Sequence, residues 1–183
     1  MFKNTASSYG LVAIILHWLM ALTIFGLFGL GLYMVELTYY DSWYKGSLDL
    51  HKSIGITLVA VFLFRVLWRV FSNKPKPLGE NQQMNQLAHT AHIVMYIILA
   101  VIVVAGYLIS TADGRAIEVF TLFDVSAIDF SFEHQADLAG KVHYYGACIL
   151  IGFAVLHALG ALKHHFIDKD KTLIRMIKPL KDD

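Results

Sequence analysis

Residues 143–157 read HYYGACILIGFAVLH, an apolar stretch with a histidine at each end, His143 and His157. In a helix, the 14 residues between them amount to roughly 21 Å of rise and about 40° short of four full turns. Both imidazoles therefore leave one face at two different depths. Two more histidines, His17 and His51, lie in or beside equally greasy stretches. An ionisable side chain in hydrocarbon is costly enough that its default reading is functional, so two on one stripe point to two stacked sites.

The rest of the chain supports a bilayer as its solvent. Hydrophobic residues make up 57% of the 183, charged residues 16%, and the mean hydropathy is +0.57, unlike a water-soluble domain. Four apolar runs, approximately Tyr9–Tyr33, Ser53–Phe71, Ala88–Ser110 and Val142–Leu162, reach or approach the roughly 20 residues that span a bilayer. The first is too long, and lacks the small-residue cleavage site, for a removable signal peptide, so it is read as retained. The expected fold is an all-α integral membrane four-helix bundle running up-down-up-down. Residues 1–165 form the transmembrane domain, and residues 166–183 a basic tail.

Charge orients the bundle. The amino end, the second loop and the tail hold Lys3, Arg69, Lys74, Lys76, Lys163, Lys169, Lys171, Arg175, Lys178 and Lys181. The first and third loops with their helix edges hold only Lys45, Lys52, Arg115 and Lys141, so the positive-inside rule puts both termini in the cytoplasm. Nine of the fourteen acids, Asp113, Asp124 and Asp137 among them, fall on the outer side. The net charge of +1 is thus a cancellation between two faces and gives no reason to expect nucleic acid. Cys148 is the single cysteine, cannot form an internal disulfide, and reads as a small core residue.

The inner loop NKPKPLGENQQMNQ carries two of the three prolines and separates the second span from the third. The outer segment from Thr111 to Gly140 mixes acids with Phe120, Leu122, Phe123, Val125, Ile128, Phe130 and Phe132. Such a loop is expected to fold back over the outer mouth of the bundle.

Depth pairs the histidines. His17 lies about two turns inside the first span from the cytoplasmic end, a depth comparable with that of His157, while His51 and His143 each open a helix at the outer surface. Bis-imidazole ligation of a haem needs two nitrogens from two helices at equal depth, and both pairs meet that condition. Gly146 and Gly160 fall three residues after the fourth-helix histidines and Gly55 four after His51, which sets bare backbone on the ligand face. Close helix packing through small residues explains the same glycines equally well.

Arg65 stands 14 residues after His51, on the same face. It either neutralises a propionate of the inner haem or snorkels towards the inner headgroups beside Arg69. Lys52 and Lys141 flank the outer histidines as propionate partners or as helix-end anchors. His89 and His92 share one face at the start of the third helix and are shallower rivals for the inner site. His164, seven residues after His157, is a candidate to bond a quinone carbonyl and pass a proton, or else an interfacial residue. His134 and His165 read as solvated.

At these residues the chain resembles the bacterial cytochrome b561 family, in particular the short four-helix di-haem proteins that include superoxide oxidase. ILHWLM at His17, DLHKSIG at His51, FLFRVLWR, LAHTAHIVMY and KVHYYGACILIGFAVLHALGALKHHFIDKDKTLIRM carry the likeness over nearly the whole length. The resemblance implies two haem b groups, ligated by His17, His51, His143 and His157, in the inner bacterial membrane. It also implies electron exchange with membrane ubiquinone near the inner haem, with His164 at the matching position.

The expected function is therefore electron transfer from an outer-face one-electron donor, with superoxide favoured, to ubiquinone. The acidic outer loops count against an anionic donor, unless Lys52, Lys141 and Arg115 reverse the local field. One rival is a cytochrome b subunit linking quinone to a partner dehydrogenase or hydrogenase. A second, a histidine-lined metal or proton transporter, needs polar groups along a water path, and the chain offers few.

Overall fold

A computed structural model describes residues 1–78, 81–129 and 131–180. Gly79 and Glu80 of the inner loop, Phe130 of the outer loop and Lys181 of the tail lie outside the described residues. Four long helices dominate: α1 (Leu11–Val35), α2 (Tyr44–Phe71), α3 (Gln82–Ser110) and α4 (Gln135–Phe166). Each is long and apolar enough to cross a membrane. At 25 to 32 residues they measure about 37–48 Å, more than the roughly 30 Å of hydrocarbon. Leu22, Leu63, Leu67, Ile97, Val104, Leu156 and Leu159 are exposed along them, as expected where the surrounding solvent is lipid.

Three helices begin well before the apolar runs that announce them. Tyr44 precedes Ser53, Gln82 precedes Ala88, and Gln135 precedes Val142. Hydropathy marks where hydrocarbon begins, whereas helical hydrogen bonding continues through the polar turns beyond it. The consequence falls on two candidate ligands: His51 and His143 do not open their helices but lie about two turns inside them.

The chain divides into two compact units, each drawing a segment from every helix. Unit 1 comprises Met1–Ala21, Val61–Tyr96 and Ile151–Asp183, and unit 2 comprises Leu22–Ala60 and Ile97–Leu150. The starts of α1 and α3 and the ends of α2 and α4 fall together in unit 1, so successive helices alternate in direction, as in a four-helix membrane bundle.

Unit 1 gathers both chain ends and the inner loop. The first residues fold back over the start of α1, where the Leu11 and Val12 amides donate to the Met1 and Phe2 carbonyls. These are donors that a helix start leaves without intrahelical partners. Gly10 permits the approach, because a Cβ there would stand 2.3 Å from the Phe2 carbonyl oxygen. The tail packs onto the same surface. Arg175, in a short 3-10 turn at Ile174–Met176, is 5% exposed, donates to the Lys76 carbonyl and stacks over Tyr9. Trp18 Nε1 donates to the Met176 carbonyl, and the Leu180 amide to Ser8 Oγ. Residues 166–180 thus pack within unit 1.

Unit 2 carries the departure from an all-helical chain. Strands β1 (Ile117–Val119) and β2 (Phe123–Val125) pair antiparallel, with Val119 opposite Phe123. Phe120 and Thr121 take φ of 50° and 60° and the Leu122 amide donates to the Val119 carbonyl, the tight turn that fits strand twist. Neither residue favours positive φ, which is why the sequence does not announce a hairpin. Burial of Ile117 and Val119 holds it in place, and the Ser53 hydroxyl accepts from the Phe120 amide. The outer loop does fold back, as its apolar residues suggest.

Candidate redox site

Two histidine pairs form, one in each unit. In unit 1 the rings of His17 on α1 and His157 on α4 have their centres 6.2 Å apart. In unit 2 those of His51 on α2 and His143 on α4 are 6.1 Å apart. Two imidazoles that face one metal ion from opposite sides through a nitrogen each, with metal–nitrogen bonds of about 2 Å, have ring centres about 6 Å apart. The angles between ring planes, 73° and 65°, are compatible, since each ring may turn about its own metal–nitrogen axis. The rival His92 is closer to His157, at 4.9 Å between centres, which suits direct edge contact. Its Nδ1 donates to the Ala88 carbonyl one turn back. His89 is exposed and takes no part.

The surroundings of the two pairs differ. Around His17 the groups are cationic. Arg65 donates through Nη2 to His17 Nδ1 at 3.1 Å, through Nε to the Tyr96 hydroxyl at 2.8 Å and through Nη1 to the Leu16 carbonyl at 3.2 Å. Its head is therefore bonded to α1 and α3. Arg69 lies over the Tyr96 ring, 5.6 Å from its centre. No carboxylate among the described residues pairs with Arg65 or Arg69. A half-buried cation without an anion is expensive. The arrangement fits a group that brings its own carboxylates.

Around His51 and His143 the constraints are steric and neutral. His143 Nδ1 donates to the Ile102 carbonyl at 2.9 Å, which leaves Nε2 for a ligand, as in metal-binding histidines generally. His51 Nδ1 is buried with no hydrogen-bond partner among the described residues. Glycines on neighbouring helices admit the rings: a Cβ on Gly31 would stand 3.4 Å from His51 Cε1, and one on Gly106 3.1 Å from His143 Cε1 and Nδ1.

The glycines singled out from sequence divide. A Cβ at Gly55 or Gly160 would meet nothing within 4 Å, leaving bare backbone beside His51 and His157 for a flat group. At Gly146 it would stand 3.0 Å from Ile102, so that position serves helix packing. Gly31, Gly106 and Tyr96 are not announced by the sequence because none shares an element with the residue it touches, His51, His143 and Arg65 respectively. A cavity of about 380 Å³ along Val101, Val104 and Val142 is lined by apolar residues and offers no ligand atom.

Of Lys52, Lys141 and Arg115, the cations expected to reverse the local field, two are already neutralised. Lys52 pairs with Asp49 at 3.1 Å, and Arg115 with Asp113. Arg115 holds the exposed Asp113 carboxyl below the usual carboxylate range, and is itself raised by it. Lys141 forms no ion pair among the described residues. His134 is exposed beside Glu133, and His165 abuts Phe166. At the end of α4, His164 Nδ1 sits 2.7 Å from Asp170 Oδ2 and 3.2 Å from Asp168 Oδ2.

Two histidine pairs on α1, α2 and α4, in a chain with four apolar helices long enough to cross a membrane, fit a membrane cytochrome. The family model described as prokaryotic cytochrome b561 matches residues 8–179, and the chain belongs to that family. It is 49% identical to "Cytochrome b561 homolog 2" of Escherichia coli (strain K12) over 177 residues, 96% of this chain and 94% of the relative. It is also 29% identical to "Probable superoxide oxidase CybB" of Yersinia pestis over 171 residues, 92% and 95% of the two chains. The protein is a multi-pass membrane electron-transfer protein of a family that binds haem b.

Proposed function

We propose that the chain holds two haem b groups, one per histidine pair, and carries electrons from an outer-face one-electron donor to ubiquinone at the inner face of the bacterial inner membrane. His17 and His157 are the ligands of the inner group, His51 and His143 those of the outer. The observation that carries this reading is the ring-centre separation of 6.2 and 6.1 Å, repeated in the two units. When bound, the haems supply reversible one-electron redox chemistry; the chain supplies ligands, burial and charge. His143 is oriented by the Ile102 carbonyl, and Arg65, which here donates to His17 Nδ1, would leave that nitrogen to bond the inner propionates. His164, near the inner surface, bonds the quinone oxygen and passes it a proton.

Superoxide is the donor favoured, in keeping with the name of the relative at 29% identity. The second reading, a cytochrome subunit receiving electrons from a partner dehydrogenase or hydrogenase, draws on the outer charge. With Lys52 and Arg115 paired, the acidic outer loops repel an anion and suit a basic partner. The deciding experiment is a reduced spectrum and haem quantification on detergent-purified protein, followed by superoxide with and without ubiquinone. Two low-spin haems per chain, reduced by superoxide and reoxidised by quinone, bear the proposal out. Two haems inert to superoxide but reducible by quinol overturn the superoxide donor in favour of a partner protein.

A further inference from the structure

The polar cluster at the end of α4 is not explained by haem binding. Helical hydrogen bonding stops at Phe166, and the Ile167 and Asp168 amides both close onto the Lys163 carbonyl. Lys169 then takes φ of 55°, a left-handed conformation that costs a residue with a Cβ about 1–3 kcal/mol and persists only where its surroundings enforce it. The turn brings the chain back on itself. The Asp170 amide donates to the His164 carbonyl, and Asp170 Oδ2 faces His164 Nδ1 at 2.7 Å. Asp170 Oδ1 accepts from the Thr172 amide at 2.7 Å. Asp168 faces the same ring nitrogen from 3.2 Å while both its oxygens accept from Lys163 Nζ. The polar contacts of His164 with Asp168 and Asp170 are thus made by Nδ1, and Nε2 has no partner among the described residues.

We propose that Asp170 is a positioning residue for quinone reduction: it holds the His164 ring with Nδ1–H towards itself and Nε2 outward, and balances the charge of the imidazolium that donates from Nε2 to the quinone oxygen. The inference rests on the reading of His164 as the quinone histidine. Each turnover adds two electrons and two protons to the quinone, turning both C=O groups into C–OH. The electrons come from the outer donor through the cytochrome, and the protons from water on the inner side. His164 gives one proton at a time from Nε2, remains neutral with Nδ1–H on Asp170, and takes the next from water beside the carboxylates. A carboxylate that fixes a tautomer and offsets an imidazolium is the same device that orients catalytic histidines elsewhere. Its environment suits the role. Burial opposes ionisation of Asp170, yet the Thr172 hydroxyl and amide and the His164 ring hold its carboxyl below the usual carboxylate range. The pairing of Asp168 with Lys163 argues against a divalent cation at this cluster, whose three ligand atoms lie within 4.8 Å of one another.

The test compares Asp170→Asn, Asp170→Glu, His164→Ala and the double variant His164→Ala/Asp170→Asn in haem-loaded, detergent-purified protein, with a short-chain ubiquinone as acceptor. Asparagine keeps the oxygen that accepts from Thr172, so the tail stays docked. The expected result is unchanged haem content, a kcat for quinone reduction lower by about 10- to 100-fold in Asp170→Asn with KM little altered, and partial rescue by Asp170→Glu. The double variant should be no slower than His164→Ala, because Asp170 acts through that ring. Nitrogen-15 histidine spectra of the oxidised protein supply a readout besides turnover, with the Nδ1–H tautomer of His164 expected in the native chain and lost in Asp170→Asn. If His164→Ala slows quinone reduction but Asp170→Asn does not, or if the asparagine adds its own loss in the double variant, the role of Asp170 is overturned while the quinone site stands. Unchanged kcat and KM in His164→Ala remove the quinone site itself, and this inference with it.

Discussion

The two histidine pairs have nearly the same separation and are held by opposite means. In unit 1, His17 is gripped by a charged, movable side chain, Arg65, with Arg69 close by on Tyr96. In unit 2, His143 is fixed by a backbone carbonyl and both rings lie against glycines, with no cation among their contacts. Ligand geometry alone would make the two sites alike; the difference lies in electrostatics. Positive charge near a haem favours the reduced form, which carries one charge fewer. The inner site is therefore expected to have the higher potential, so that electrons entering at the outer site run downhill to the inner one.

The largest effects test whether the pairs are separate. His17→Ala or His157→Ala is expected to remove the inner haem and leave the outer, while His51→Ala or His143→Ala does the reverse, read by haem per chain and by redox titration. Equal loss in all four variants, with the chain still folded, would break the distinction. His92→Ala should retain both haems, and loss of the inner one would transfer ligation from His17 to His92. Arg65→Leu comes next. At an effective dielectric near 20, one unit charge at a distance of about 5 Å is worth about 3 kcal/mol, roughly 140 mV for one electron. The inner potential should fall by that order while the outer stays put. An equal shift of both would mean that the charge is not local to the inner pair.

What the sequence made legible follows from what periodicity and hydropathy can carry. His143 and His157 share one helix, so their common face was readable from spacing, and the pairing by depth needed only four spans. Helix starts were misjudged because Tyr44 to Ser53 and Gln135 to Val142 are polar turns that hydropathy does not register. The partners of each ring were out of reach for another reason. Tyr96, Gly31 and Gly106 lie on different helices from the residues they touch, and their choice is set by helix rotation, which no single span encodes. The hairpin was hidden because Phe120 and Thr121 occupy a turn that usually takes asparagine and glycine.

Glycine contacts separate the two outer ligands at a smaller scale. A Cβ at Gly106 would press His143 at 3.1 Å, and that ring cannot yield cheaply because Nδ1 is tied to the Ile102 carbonyl. Gly106→Ala is expected to cost about 1–3 kcal/mol and to weaken retention of the outer haem. At Gly31 the approach to His51 is 3.4 Å, ordinary contact against a ring whose Nδ1 has no partner among the described residues, so Gly31→Ala should cost less than about 1 kcal/mol. Thermal denaturation followed in the haem band gives both values. The opposite order would mean that the His143 ring is the more mobile of the two.

The smallest effect distinguishes the loops. The hairpin of unit 2 is anchored through Ser53, which does not titrate, whereas the tail of unit 1 is tied through Asp170 to His164 and Thr172. The folded carboxyl of Asp170 is held below its ordinary value, against the opposing effect of burial, by Thr172 and His164. Its contribution is therefore fully present above the ordinary carboxylate range and is lost as pH falls through the depressed folded value, because the released tail binds the proton more readily. Acidification through that window should raise hydrogen exchange at the Thr172 amide while the Phe120 amide, bonded to Ser53, stays protected. Asp170→Asn should flatten the dependence at Thr172, since the amide oxygen keeps the bond and has no proton to gain. Acid release of both loops together would place the pH response outside Asp170 and dissolve the contrast between the two units.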